Sequence, residues 1–314
     1  STDLNFDSSA VTLTLKGAKH NEKTVQGTVS ETANGVSIKL PDFAHNKQTD
    51  DIYTLTARIQ DKAGNVTEKS IVFSVNRYGS NFTYGKKTAE RLDKYYLSKS
   101  SKLVIYETNV DQIVDSEIVV LKDGTSTTLK KGSDYTVDDE SEMNGWHKYK
   151  YTISDHCFSE EGLYEIQIRT SDKAGNIQDN KIKNSPIRFV IDRTAPTAVV
   201  TGVVNNGRYK ELSRKIYVQV TDNYAYGSVS LYLGDRKVKS FDAATVAKKD
   251  GKLSYTLKSA NGWQRIRVEY NDLAGNHGNP VSMRVLVSAS TWQQILYSDW
   301  FIPTIVAIFG GIIF

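Results

Sequence analysis

The chain has 314 residues, of which 24% are charged and 39% hydrophobic, as in a folded globular protein and unlike a disordered one. The net charge of +4 comes from lysines and arginines dispersed among acids, which argues against a nucleic acid partner. The single cysteine, Cys157, excludes an intrachain disulfide.

One pentad of the form Asp-x-Ala-Gly-Asn occurs three times, at intervals of 111 and 100 residues. Before and after each copy, apolar and polar residues alternate, as in half-buried β-strands. Glycine accepts positive φ angles, and an aspartate side chain can accept backbone N–H bonds in a turn. The pentad therefore predicts the turn of a β-hairpin, formed by Asp61, Gly64, Asn65, Asp172, Gly175, Asn176, Asp272, Gly275 and Asn276.

The pentads divide the chain into repeats of the size of an immunoglobulin-like sandwich. Residues 1–77 are expected to form a partial sandwich that lacks its leading strands, because only 60 residues precede Asp61. Residues 78–192 predict a sandwich with long loops, of which Lys130–Trp146 is the longest. Residues 193–288 predict a sandwich of about seven strands in two sheets. Short linkers between the repeats predict a stiff rod.

Two further segments have a distinctive sequence. One is Phe158–Tyr164, which leads into the second pentad, and the other is the linker Val190–Pro196. With the pentads, they resemble the bacterial immunoglobulin-like domains of large surface proteins of Gram-positive gut bacteria. The resemblance implies an all-β protein of tandem immunoglobulin-like sandwiches that serves as a stalk, an adhesin or a binding module. The near absence of cysteine agrees with a bacterial origin.

Three carboxylates are predicted to meet where the third repeat begins. In this sandwich topology, the loops after the second and sixth strands lie at the end where the domain starts. These loops carry Asp222 and Asp272, and the entering linker carries Asp192. Ca²⁺ takes several oxygen ligands, so the three residues are a candidate interdomain calcium site. The alternative is that they cap turns and carry solvated charge.

Catalysis finds little support in the sequence. The histidines have no metal-ligand spacing, and we expect that the chain is not an enzyme. His156 and Cys157 are neighbours, and on a strand their side chains would point to opposite faces. Trp146, in the long loop, is a candidate for stacking on a sugar ring, with core packing as the alternative.

From Trp300 the chain continues to residue 314 without a charge. A full span needs about 20 apolar residues, so the segment predicts a truncated C-terminal transmembrane helix over part of residues 289–314. Trp292, Tyr297 and Trp300 are expected at the membrane interface, where amphipathic rings collect. A buried strand or an apolar core helix is the alternative interpretation.

Three functions remain open at this point. The first is an extracellular stalk of adhesion type, held at the cell membrane by a single pass and in contact with a protein or glycan partner. The second is an ectodomain subunit that docks on a partner in a membrane complex. The third is the non-catalytic C-terminal part of a large surface enzyme that acts on glycans.

Overall fold

The computed structural model describes residues 6–32, 35–141, 145–181 and 186–310. The chain forms two compact units. The first contains residues 1–95 and 100–189, and the second contains residues 96–99 and 190–314. Most of the regular structure in both units is β-strand, so the predicted all-β class is confirmed.

The first unit begins with six strands built around the first pentad. A four-stranded antiparallel sheet has the order β2-β1-β5-β6, and β3 pairs with β4 in a separate hairpin. The sheet buries Leu15, Tyr53 and Val75, whose neighbours along their strands are exposed or half-buried. The bounds are β1 Phe6–Gly17, β2 Lys23–Val25, β3 Thr28–Thr32, β4 Gly35–Lys39, β5 Asp51–Asp61 and β6 Val66–Val75.

The second group of strands in this unit forms two sheets built around the second pentad. One sheet has the order β12-β13-β9-β7 and the other β11-β10-β14-β16, with β15 paired to β14. Ile105 and Tyr151 of the former sheet and Ile118 and Ile168 of the latter are fully buried. The bounds are β7 Asn81–Tyr84, α1 Lys86–Lys94, β9 Leu103–Asn109, β10 Ile113–Lys122, β11 Thr125–Thr128, β12 Tyr135–Asp139, β13 His147–Ile153, β14 Gly162–Asp172, β15 Ile177–Asp179 and β16 Ile187–Ile191. The short β8, Tyr96–Leu97, belongs to the second unit.

The long segment Lys130–Trp146 differs from the predicted loop, because it contains β12. Tyr135 and Val137 alternate with polar residues, and this short pattern pairs with β13 in antiparallel register. The remainder of the segment includes residues 142–144, which lie outside the described part of the chain.

The second unit is a two-sheet sandwich. Val190 and Ile191, at the end of β16, pair in parallel with Tyr96 and Leu97 of β8. One sheet has the order β17-β19-β22 and the other β18-β24-β23-β20-β21, with Ile216 and Val268 among the fully buried residues between them. The bounds are β17 Thr197–Thr201, β18 Gly207–Tyr209, β19 Ser213–Thr221, β20 Tyr226–Leu233, β21 Arg236–Phe241, α2 Ala243–Lys248, β22 Lys252–Lys258, β23 Gln264–Asp272 and β24 Val281–Val287.

Two short helices follow the sandwich: α3 (Thr291–Leu296) and α4 (Phe301–Gly310). The Ser290 side chain caps α3 by accepting a hydrogen bond from the backbone N–H of Gln293. Within the described ranges, no helix combines the length and the apolar character that crossing a membrane requires. The predicted transmembrane helix extends into residues 311–314, outside these ranges, and stays a prediction.

Candidate functional site

Each pentad is a closed turn held by its own first and last residues. Asp172 Oδ1 accepts the backbone N–H of Asn176 at 2.8 Å, and Asp172 Oδ2 accepts the Asn176 side-chain amide at 2.9 Å. The Asp61–Asn65 and Asp272–Asn276 pairs make the same two bonds. The φ angles of Gly64, Gly175 and Gly275 are 91°, 87° and 92°, in the region that favours glycine.

In the second and third pentads, the final asparagine also holds the chain that enters the repeat. Asn176 Nδ2 donates to the carbonyl oxygen of Asn76 at 3.0 Å, and Asn276 Nδ2 donates to that of Asp192 at 2.9 Å. The sequence pattern predicted only a place in the turn for this asparagine. Its recurrence at the end of the pentad was the available signal for the second role.

The three predicted metal ligands lie together in the second unit. One carboxylate oxygen from each of Asp192, Asp222 and Asp272 lies within 4.8 Å of the other two. They meet because Asp192 follows β16, Asp222 follows β19 and Asp272 ends β23. Asp192 and Asp272 are buried, with 1% of each residue exposed.

The charge of this cluster is poorly compensated at Asp222. Its Oδ2 accepts the backbone N–H groups of Tyr224 and Ala225 at 3.0 and 2.8 Å. Its Oδ1 is buried and, among the described residues, has no hydrogen-bond partner. Burial raises the pKa of the Asp222 carboxyl above its ordinary value, and the nearby Asp272 carboxylate adds to the increase.

The oxygen spacing fits a calcium ion. Ca²⁺ binds oxygens at about 2.3–2.6 Å, so two oxygens on opposite sides of one ion lie up to about 5 Å apart. Asp192, Asp222 and Asp272 could therefore hold Ca²⁺ with small adjustments of their side chains, and the calcium site stays a prediction.

The first unit contains a related cluster in which amides replace two of the carboxylates. Asn76 follows β6, Asn109 ends β9 and Asp172 ends β14, as the three aspartates do around the third pentad. The Asn76 amide nitrogen lies 2.9 Å from Asn109 Oδ1, 2.9 Å from Asp111 Oδ2 and 2.8 Å from Asp172 Oδ2. A neutral hydrogen-bond donor thus occupies the centre of this cluster and bonds to the carboxylates of Asp111 and Asp172.

Glu107, two residues before Asn109 on β9, belongs to an internal network of the first unit. Its carboxyl group accepts hydrogen bonds from Ser80, from Thr170 at 2.6 Å and from Tyr151 at 2.6 Å. Burial is the main reason that the pKa of Glu107 is raised. These contacts occupy both carboxylate oxygens with protein hydroxyls.

The Asp50 side chain binds the linker that joins the two groups of strands in the first unit. Its carboxylate accepts the backbone N–H groups of Arg77, Tyr78 and Gly79 at 3.0, 2.7 and 3.2 Å. Asp50 itself is 2% exposed. Nothing in the local sequence pairs Asp50 with residues 77–79, and only the fold shows the contact.

Trp146, the predicted glycan contact, takes part in the same junction. Its Nε1–H donates to Asp51 Oδ1 at 2.8 Å, and the Lys19 ammonium lies 3.1 Å from its ring centroid. His20 Nδ1 lies 2.6 Å from Asp51 Oδ2. Burial acts to raise the pKa of Asp51, but the bonds from Trp146 and His20 lower it below its ordinary value. This hydrogen bond supports the alternative interpretation, in which Trp146 packs within the first unit. Stacking of Trp146 on a sugar ring stays a prediction.

His156 and Cys157 differ from their predicted arrangement. They lie in a 3-10 turn, Asp155–Phe158, and not on a strand, so the argument that they face opposite ways is wrong. The turn places a nitrogen of His156 and the Cys157 sulfur within 4.8 Å of each other and of an Asp134 carboxylate oxygen. Burial, followed by the charge of Asp134, raises the pKa of the Cys157 thiol to about 11. A thiol with this pKa is a poor nucleophile at neutral pH.

The three predicted interface residues lie around α3 and α4. Trp292 and Trp300 are exposed, whereas the Tyr297 ring contacts the Trp263 ring edge to face, at 6.3 Å between centroids. Trp292 makes a similar contact with Phe301 at 5.9 Å. Tyr297 is therefore attached to the sandwich, while the two tryptophans face outwards.

Sheet topology and the repeated pentad turn define a protein of tandem immunoglobulin-like repeats. A family model described as "Bacterial Ig-like domain (group 3)" matches residues 2–78, which confirms the resemblance for the first repeat. No curated protein matches the chain. The Gram-positive source stays a prediction.

Several solved structures are similar to this chain at low sequence identity. The fibronectin(III)-like modules of Clostridium thermocellum CbhA are 14% identical, with 66% of this chain and 94% of that chain covered and a TM-score of 0.31. A tetra-tandem repeat in the extending region of a large adhesion protein is 17% identical, with coverage of 90% and 68% and a TM-score of 0.29. The chicken CNTN1 FN1–FN3 domains are 9% identical, with coverage of 88% and 89% and a TM-score of 0.34.

Proposed function

We propose that this chain is a structural spacer of adhesion type on the outside of a bacterial cell. The observation that carries the proposal is the junction in the first unit, where Asp50, Asn76 and the Asp51–Trp146 pair join the two groups of strands. A protein that projects another molecule from a surface needs joints that resist bending. A loose linker of residues 76–80 would not provide this resistance.

The chemistry of the junction supports this role. A hydrogen bond to a charged group contributes about 1.5–3 kcal/mol, and Asp50 accepts three backbone N–H groups. Asp50 is buried, so bending the linker would leave its charge without donors, at a further energetic cost. The linker is consequently expected to move as part of the unit.

Attachment to the cell membrane through the C-terminal segment is part of the proposal. Residues of α4 expose Val306 and Ile308, and Trp292 and Trp300 are exposed beside it. Apolar helices flanked by tryptophan prefer the boundary between lipid and water. A single pass across the membrane and a protein or glycan partner at the cell surface belong to the same proposal.

Force spectroscopy tests the spacer role. The chain is held by its two ends and stretched, and the wild-type first unit is expected to resist as one body. Asp50→Asn should add an early extension at lower force, because the linker separates before the strands unfold. Asp42→Asn removes an exposed carboxylate from the same repeat and is the matched control. A wild-type first unit that extends without a force peak would refute the spacer role.

A further inference from the structure

Helix α3 begins at one end of the second unit, which we call the α3 end. The termini of several strands meet at this end. Backbone hydrogen bonds join these termini. The Ser259 N–H donates to the Leu212 carbonyl at 2.9 Å, and the Ala260 N–H donates to the Val287 carbonyl at 2.9 Å. The Gly234 N–H donates to the Arg265 carbonyl at 2.8 Å. The carboxylate cluster and α2 lie at the opposite ends of the same strands. The nine residues of β23 separate the two ends by about 26 Å.

Positive charge is concentrated at the α3 end. Its acids are fewer, and one of them, Glu211, is paired with Arg214 at 2.8 Å. Leu212, beside this pair, is 78% exposed. The cations at this end are Arg208, Lys210, Arg214, Arg236, Lys258 and Arg265, and the acids are Glu211, Asp235 and Asp299.

A groove opens at this end beside α3. It has a volume of about 280 Å³ and is lined by Arg208, Thr291, Gln294, Ile295, Ser298 and Trp300. Arg208 Nη1 donates to the carbonyl oxygen of Gln294 at 3.3 Å, which holds the guanidinium group at the groove. The volume is close to the small end of the range for ligand pockets, about 300 Å³.

Helix α3 is fixed to the sandwich, so the groove has a firm wall. Gln294 Nε2 donates to the carbonyl oxygens of Tyr209 and Ser288 at 2.9 and 3.0 Å. Trp300 also lines the groove and lies immediately before the apolar α4. A guanidinium group, hydroxyl groups and an indole thus surround one small space beside an apolar helix.

We propose that this groove binds the phosphate headgroup of an acidic phospholipid. The inference rests on the proposed membrane attachment and specifies its chemistry. The guanidinium fork matches two phosphate oxygens, and Trp300 would lie at the headgroup level with Leu212 and α4 on the lipid side. The surrounding cations attract acidic lipids, and the apolar helix keeps the groove at the surface.

Vesicle partitioning of the full chain tests the inference. Vesicles of phosphatidylcholine alone are compared with vesicles that also contain phosphatidylglycerol, at low and high salt. Stronger binding to the acidic vesicles is expected, with a preference that weakens at high salt. Arg208→Gln should lower the partition coefficient on acidic vesicles about fivefold, the effect of one cation at a membrane surface.

Lys248→Gln is the matched control, because it removes one exposed cation from α2 at the opposite end. It should leave partitioning unchanged, and the melting temperature of each variant checks its folding. Equal binding to both kinds of vesicle would overturn the headgroup site while leaving membrane attachment intact. Equal losses in Arg208→Gln and Lys248→Gln would also overturn it. No binding to either vesicle would refute the attachment itself.

Discussion

The two carboxylate clusters allow a matched test of calcium binding. The substitution Asp192→Asn gives the second unit the amide that Asn76 supplies in the first. Asp192→Asn combined with Asp222→Asn reproduces the two amides, Asn76 and Asn109, of the first unit. The perturbation therefore changes charge at positions where the same fold already accepts amides.

The expected magnitude follows from the oxygen spacing. Two unit charges 4.8 Å apart repel by about 3 kcal/mol at an effective dielectric constant of about 20. Asp192→Asn removes two of the three pairwise repulsions between the carboxylates. The gain in stability is smaller than their sum, because hydrogen bonds that the carboxylates accept already compensate part of the repulsion. We expect the variant to unfold at a higher temperature than the wild type in calcium-free buffer, with a gain of about 1–3 kcal/mol.

Calcium should reverse this order. Ca²⁺ at a concentration of about 100 times its dissociation constant stabilises a protein by about 2.7 kcal/mol. The wild-type second unit should gain that stability and release heat in calorimetric titration, whereas Mg²⁺ should have little effect because it requires a smaller, octahedral shell. Asp192→Asn should respond to neither ion. A wild type that shows no binding heat and no rise in melting temperature with Ca²⁺ would refute the calcium site.

Four further predictions concern single groups. Because the pKa of Asp222 is raised in the folded state, the folded chain binds more protons than the unfolded chain near that pKa. Calcium-free melting should therefore show the second unit gaining stability as the pH falls from neutral towards the ordinary aspartate range, and Asp222→Asn should remove this gain. Gly175→Ala places a β-carbon at a φ of 87° and should lower the free energy of unfolding of the first unit by about 1–2 kcal/mol in urea. An unchanged urea midpoint would contradict the turn geometry. Trp146→Phe leaves Asp51 without its indole donor and should cost about 1–3 kcal/mol in the same assay, and a neutral result would show that the contact is dispensable. The Cys157 thiol, with a pKa of about 11, should react with a disulfide reagent at pH 8 far more slowly than an unfolded control; equal rates would contradict its burial.

The local features of the fold were predictable from the sequence. The pentad contains in five residues everything its turn needs: an acceptor at Asp172, a positive φ at Gly175 and a closing amide at Asn176. Alternation along β14 and β23 is also local, so both strands could be located from their apolar positions. The meeting of Asp192, Asp222 and Asp272 followed from knowing which loops share an end of the sandwich.

The junction of the first unit was not predictable, because its contacts join residues far apart in sequence. The bond from Trp146 to Asp51 spans 95 residues, and that from Asn76 to Asp172 spans 96. No periodicity records such pairs. His156 and Cys157 were misplaced for a different reason, because Ser154 and Asp155, residue types that favour turns, precede them and the strand prediction omitted this turn signal.

Hydrogen exchange at the linker of the first unit tests the spacer account most directly. If Asp50 holds the linker, the amide protons of Arg77, Tyr78 and Gly79 should exchange slowly, at rates close to those of the adjoining strands. Asp50→Asn should accelerate all three. Exchange in the wild type as fast as in an exposed loop would contradict a stiff junction and, with it, the spacer account.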